Sequence, residues 1–222
     1  MIPTPRRLAV ALAVLTGLCV VAPAAQAQAY NYPSMQTPRA SQRDYSAAIV
    51  GGSGTTLLFQ WREGAGSGMH WQLDAGLADP RGSTDPLLFV GGSFAREMLR
   101  ATTDQPLDVL FTVGAGAAIG GDASAFRIPV GASLGHTFEL DQGMAITPYV
   151  HPRVSLDFCG DCGARDNGRS SLSLNFDLGA DFQATKNFGV RVAASFSGSD
   201  VVGSDETFAI GFRWTPVPLG RR

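Results

Sequence analysis

Between Ser171 and Ala184 every second residue is apolar. Leu172, Leu174, Phe176, Leu178, Ala180 and Phe182 alternate with Ser173, Asn175, Asp177, Gly179, Asp181 and Gln183. Successive side chains of a strand point to opposite faces, whereas a helix would scatter these residues around its axis. The run therefore reads as a strand with one apolar and one polar face. Met69–Asp79, Leu107–Ile119, Phe126–Leu140, Met144–Phe158, Phe188–Ser197 and Thr207–Thr215 repeat the pattern. Several of these segments exceed ten residues, against the usual five or six of soluble strands. Leu87–Leu99 keeps poor phase, because Arg96 shares the register of Val90 and Phe94. Either Arg96 sits at a membrane interface or a bulge at Gly91–Gly92 resets the face. Pro148 and Pro152 fall on the apolar phase, where a missing N–H predicts a bulge or strained pairing. With Tyr45–Val50 and Thr55–Arg62 the count is ten strands. Eight is the alternative, if Gly51–Gly54 bends one strand instead of separating two and two other segments merge.

This is an all-β chain, and long two-faced antiparallel strands in even number close into a barrel. Alternation alone leaves the outer face undecided, because a soluble barrel turns its apolar face inward and a membrane barrel turns it outward. The polar faces carry Arg62, Asp74, Asp108, Arg127, Glu139, Arg153, Asp157, Asp177, Asp181, Arg191 and Arg213, spaced by Gly, Ser and Ala. Small residues mixed with charges of both signs suit a narrow lumen where the ions pair. Unbroken files of Phe, Leu, Ile and Val suit lipid. The expectation is an antiparallel transmembrane β-barrel over residues 44–216, with a closed, charge-paired lumen.

Composition agrees: 45% of the 222 residues are hydrophobic and only 16% charged, against about 25% charged in soluble domains. A net charge of −2 offers no electrostatic footprint for nucleic acid. Residues 1–29 combine Arg6 and Arg7, an apolar stretch from Leu8 to Val21 and a small-residue end with cleavage after Ala27 or Ala29. That is the three-part pattern of a signal peptide, and Cys19 leaves with it. Residues 30–43 lack periodicity and read as a periplasmic N-terminal tail. Residues 217–222 read as a C-terminal tail.

At the end of the barrel, Gly211, Phe212 and Trp214 form a glycine followed by alternating aromatic residues. With this ending, the chain resembles the small outer-membrane β-barrels of the OmpA/OmpX type. The resemblance implies a monomer in the bacterial outer membrane whose partners are membrane lipid and, during biogenesis, the barrel assembly machinery. In that light Gly211, Phe212 and Trp214 are the assembly signal. The chain departs from the pattern in continuing past Trp214 to Arg222.

Chemistry is sparse. Cys159-Gly-Asp-Cys162 has no second CxxC or His pair near it and no thioredoxin-like βαβ pattern around it, so a loop-stapling disulfide is expected rather than a metal or redox centre. His151, Ser155 and Asp157 share one strand face. Four residues of strand separate His151 from Ser155 by about 13 Å, too far for a nucleophile–base hydrogen bond. His70 and His151 read as polar lumen residues and His136 as an interface residue. No cofactor and no enzymatic activity are expected. The predicted role is structural or surface-interacting, with a narrow pore for small solutes as the alternative and a lipid-modifying hydrolase third.

Overall fold

The computed structural model describes residues 32–80, 85–120, 123–161, 167–198 and 205–216. The expected signal peptide, the C-terminal tail and Cys162 lie outside the described residues. Eleven strands follow one another: β1 (Arg43–Gly51), β2 (Gly54–Gly64), β3 (Met69–Pro80), β4 (Leu87–Leu99), β5 (Asp108–Gly120), β6 (Ala123–Gly135), β7 (Phe138–Glu139), β8 (Ala145–Asp161), β9 (Asn167–Gln183), β10 (Phe188–Gly198) and β11 (Asp205–Trp214). All pairings are antiparallel. β6 pairs with β8 and β1 with β11, so ten long strands close into a ring, with the two-residue β7 attached to β8. Gly52 and Ser53 separate β1 from β2, and the eight-strand alternative falls.

The apolar phase points outward. Leu57, Leu77, Leu174, Ile210 and Phe212 are all exposed, as are Phe59, Val90 and Leu178. A contiguous apolar belt on this scale is far beyond what a soluble surface shows, and it is the band a barrel presents to lipid. At the rim where the barrel chain begins and ends, Tyr45 stacks between Trp61 (6.1 Å) and Trp214 (5.6 Å), and Trp61 meets Trp71 edge-on at 4.7 Å. These amphipathic rings form the aromatic girdle expected at a membrane–water interface. We call this end the terminal rim and the other the distal rim.

The register refines the sequence reading in three places. Pro148 and Pro152 face outward without displacing the β8–β9 register; the ladder between β6 and β8 instead skips Ala132 and Ser133, opposite Pro152 and His151. Proline lacks the donor that this stretch of ladder would need. The irregularity in β4 lies between Glu97 and Leu99, not at Gly91–Gly92, and Arg96 faces outward opposite Met69 near the terminal rim. Phe126–Leu140 is not one strand. It breaks after Gly135, so Glu139 ends on exposed β7, outside the lumen where it was expected. Phase across the break cannot be carried forward from β6.

Two inward rings rest on glycines of a neighbouring strand: Phe89 over Gly76 and Tyr149 over Gly179. A Cβ at either glycine would run into the ring, so both glycines are required by close approach.

Candidate functional site

The inward phase of the strands builds three tiers of polar side chains. At the terminal rim, Arg191 binds Asp181 through Nε (2.5 Å) and reaches Asp44 through both Nη atoms (3.3 and 3.4 Å). Arg213 donates to Asp181 at 3.2 Å, and Arg62 lies 3.9 Å from Asp44. Antiparallel pairing places these partners together, since Asp44 faces Arg62 and Asp181 faces Arg191 across adjacent strands. Asp44, at the edge of β1, is a buried lumen carboxylate that the alternation had not singled out.

Four residues further along β9, Asp177 accepts from Arg153 at 2.8 Å, and His151 Nδ1 lies 3.6 Å from the same carboxylate. Another four residues on, Arg127 grips Asp157 in a bidentate pair of 2.6 and 3.0 Å, and Ser173 donates to Asp157 at 2.7 Å. Asp74, on the opposite wall, accepts from Gln60 (3.0 Å) and Gln72 (2.7 Å), and Gln72 in turn accepts from Arg62 (2.5 Å). Ten of the eleven charged residues singled out in the sequence thus face the lumen and are buried; Glu139 is the exception. Breaking one partner of such a buried pair leaves an uncompensated charge, which gives these tiers their structural weight.

The residues that read as an N-terminal tail have contacts inside the barrel. Residues 32–42 turn back into the barrel, where Met35 is fully buried and Gln36 is buried with it. The sequence hid this because an irregular segment needs no period to bury itself; it satisfies its backbone with side chains of the wall. Arg62 Nη2 donates to the Met35 carbonyl (2.8 Å) and Gln60 to that of Ser34 (3.1 Å). Ser133 donates to the Gln36 carbonyl at 2.6 Å, and the Ser41 amide donates to His70 at 3.2 Å. Arg39 pairs with Asp108 at 3.0 Å, and the Ala40 amide donates to Glu97 at 2.9 Å.

The apolar residues of the segment find an apolar seat. Met35 packs into an inward cluster that includes Val50, Leu58, Ala78, Phe89 and Ala118, and Tyr32 stacks on Phe89 at 5.0 Å. The Tyr32 hydroxyl donates to Asp74 at 3.2 Å.

Ser34 is the residue that sequence reasoning missed most completely. Its hydroxyl donates to Asp177 (2.9 Å) and lies 2.5 Å from His151 Nδ1, while Thr112 Oγ1 lies 2.9 Å from Nε2. With its single proton directed at Asp177, Ser34 accepts from Nδ1–H, and Nε2 accepts from Thr112. Toward Ser34 the ring is thus a donor, the reverse of the base that a serine nucleophile would need. In this arrangement the imidazole is a latch that ties the segment to β5, β8 and β9. The other polar residues that share this face of β8 have partners of their own: Ser155 accepts from Asn175 (3.1 Å), and Asp157 belongs to Arg127. Beside the segment, a cavity of about 60 Å³ remains, bordered by His151, Arg153 and the glycines Gly91, Gly92, Gly114 and Gly116.

Cys159 is buried, with its Sγ 3.5 Å from the Ser124 carbonyl oxygen. Gly211 faces the lumen so closely that a Cβ would lie 2.7 Å from that of Ala48, whereas Phe212 and Trp214 project outward.

No protein-family model and no curated protein matches the sequence. Solved structures match the fold. The β-domain of the Bordetella autotransporter BrkA aligns with a TM-score of 0.53 at 9% identity, over 78% of this chain and 98% of that one. LpxR from Salmonella typhimurium aligns with a TM-score of 0.43 at 12% identity, over 82% and 78%. Ail of Yersinia pestis aligns with a TM-score of 0.31 at 11% identity, over 78% and 93%. At these identities the likeness is one of fold. The protein is a closed ten-stranded β-barrel of the architecture that small outer-membrane proteins share.

Proposed function

We propose that the protein is an outer-membrane barrel held closed at rest, serving the envelope in a structural or surface-interacting capacity. The observation that carries this reading is the double occlusion of the lumen: arginine–aspartate pairs of neighbouring strands crowd its inner wall, and residues 32–41 lie against them. An unplugged lumen of ten strands would be narrow, and long paired side chains narrow it further. The lipid-facing belt and the aromatic girdle support residence in the membrane as a monomer.

In the same reading, Gly211, Phe212 and Trp214 present the last strand to the assembly machinery, and Cys159 and Cys162 form a disulfide that staples the β8–β9 connection. Planar-bilayer recording of purified, refolded protein tests the closed state. No unitary current is expected in 1 M KCl, and frequent steps would sink the reading. Mobility on a denaturing gel before and after boiling checks that the sample is a folded barrel.

A further inference from the structure

The closure described above is made of two unlike parts. The wall is a continuous hydrogen-bonded ring, whereas residues 32–41 belong to no strand and join the ring only through Gln42, whose carbonyl accepts from Gly64 at 2.6 Å. The segment is seated by Met35 and Tyr32 on the apolar cluster, by Ser34 on His151 and Asp177, and by Arg39 on Asp108. Each contact is a side-chain contact that can be released without unpairing any strand. Free space already adjoins the segment on the side of β4 and β5, where glycines line the wall.

Charge tells what an emptied lumen would favour. Among the described residues, the buried charges of the wall are six aspartates (Asp44, Asp74, Asp108, Asp157, Asp177 and Asp181) and five arginines (Arg62, Arg127, Arg153, Arg191 and Arg213). The sixth arginine is Arg39, brought by the segment itself. Its withdrawal leaves Asp108 without its cation and strips Asp177 of both donors of Ser34. Unbalanced carboxylates lining a narrow passage draw cations and repel anions.

We propose that residues 32–41 are a displaceable gate, and that the barrel freed of them conducts small monovalent cations. The proposal rests on the closed resting state. It assigns the segment a second position, out of the lumen, and gives the narrow pore a specific condition and a specific ion class.

The test uses three forms of the full barrel in planar bilayers: unaltered protein, a deletion of residues 32–40, and Met35→Asp. The last places a carboxylate on the apolar seat while leaving every wall residue intact. Folding of each is checked by the boiling shift on a denaturing gel. We expect silence from the unaltered protein and unitary steps from both variants. In a tenfold KCl gradient, their reversal potential should report cations passing several-fold more readily than anions. Asp108→Asn added to the deletion should lower that ratio. Folded variants that remain silent would overturn the gate and leave the closed barrel standing. Anion-preferring steps would overturn the charge argument and with it the proposal. Failure of both variants to fold would make the segment a core element and overturn the gate equally. Steps from the unaltered protein would sink the closed resting state instead, and if the deletion leaves those steps unchanged, the gate falls too.

Discussion

The tier at the terminal rim and the tier in the middle of the lumen use the same residue types in opposite ways. At the rim, Asp44, Asp181, Arg191 and Arg213 complete one another across β1, β9, β10 and β11, all of them wall strands. In the middle, Asp177, His151, Gln60 and Asp74 are completed by Ser34 and Tyr32, which come from outside the ring. A tier that closes on itself holds the barrel together. A tier that closes on a separate segment holds that segment in place. Position in the lumen, more than chemistry, decides whether a buried polar group stabilises the fold or the closed state.

Substitutions separate the two. The largest effect belongs to the rim: Arg191→Met leaves Asp44 and Asp181 short of their shared cation, and unfolding by urea in lipid vesicles should show a loss of about 3–5 kcal/mol. The barrel should stay electrically silent, since the segment keeps its own contacts. Leu178→Arg alters only the lipid face near mid-depth and should weaken folding by about 2–4 kcal/mol. A smaller loss would mean that the outer surface contributes less than the belt implies. Met35→Ala removes the apolar anchor and should weaken the seating of the segment by about 2 kcal/mol, at the low end for a buried methionine because a segment outside the strands can settle into the gap. Faster proteolysis between residues 32 and 42, with an unchanged urea midpoint for the barrel, is the expected signature. Ser34→Ala should have the smallest effect, about 1 kcal/mol for one hydrogen-bonded hydroxyl, read by the same proteolysis. If it lowers the urea midpoint of the whole barrel, the middle tier is part of the wall after all.

Much of the wall was legible because period-two alternation is both local and strong. The run from Leu172 to Gln183 fixes which residues of β9 share a face, and pairing carries that division to β8 and β10. Arg127 with Asp157 and Arg191 with Asp181 could be named as lumen residues from phase alone. Their partners could not, because register is set by turns and by neighbouring strands, not by the strand itself. Glu139 was misplaced for a related reason: phase extrapolated through Gly135, His136 and Thr137 assumes a strand that has already ended. Ser34, Met35 and Arg39 were illegible. A segment that binds by scattered side-chain contacts repeats nothing, so composition reads it as a linker. The one available hint was arithmetic, since balancing the inward charges of the strands leaves a carboxylate in excess.

The ring is also unevenly fastened. β1 and β11 pair over only seven residues, from Tyr45 with Trp214 to Gly51 with Phe208, while β8 and β9 pair along nearly their whole length. This short join unites β1 with β11, so it cannot form until β11 has been made. Under lateral tension in the bilayer it is where the cylinder would unzip first. Its outer side carries Tyr45 and Trp214, whose stacked rings brace the join against shear at the membrane surface.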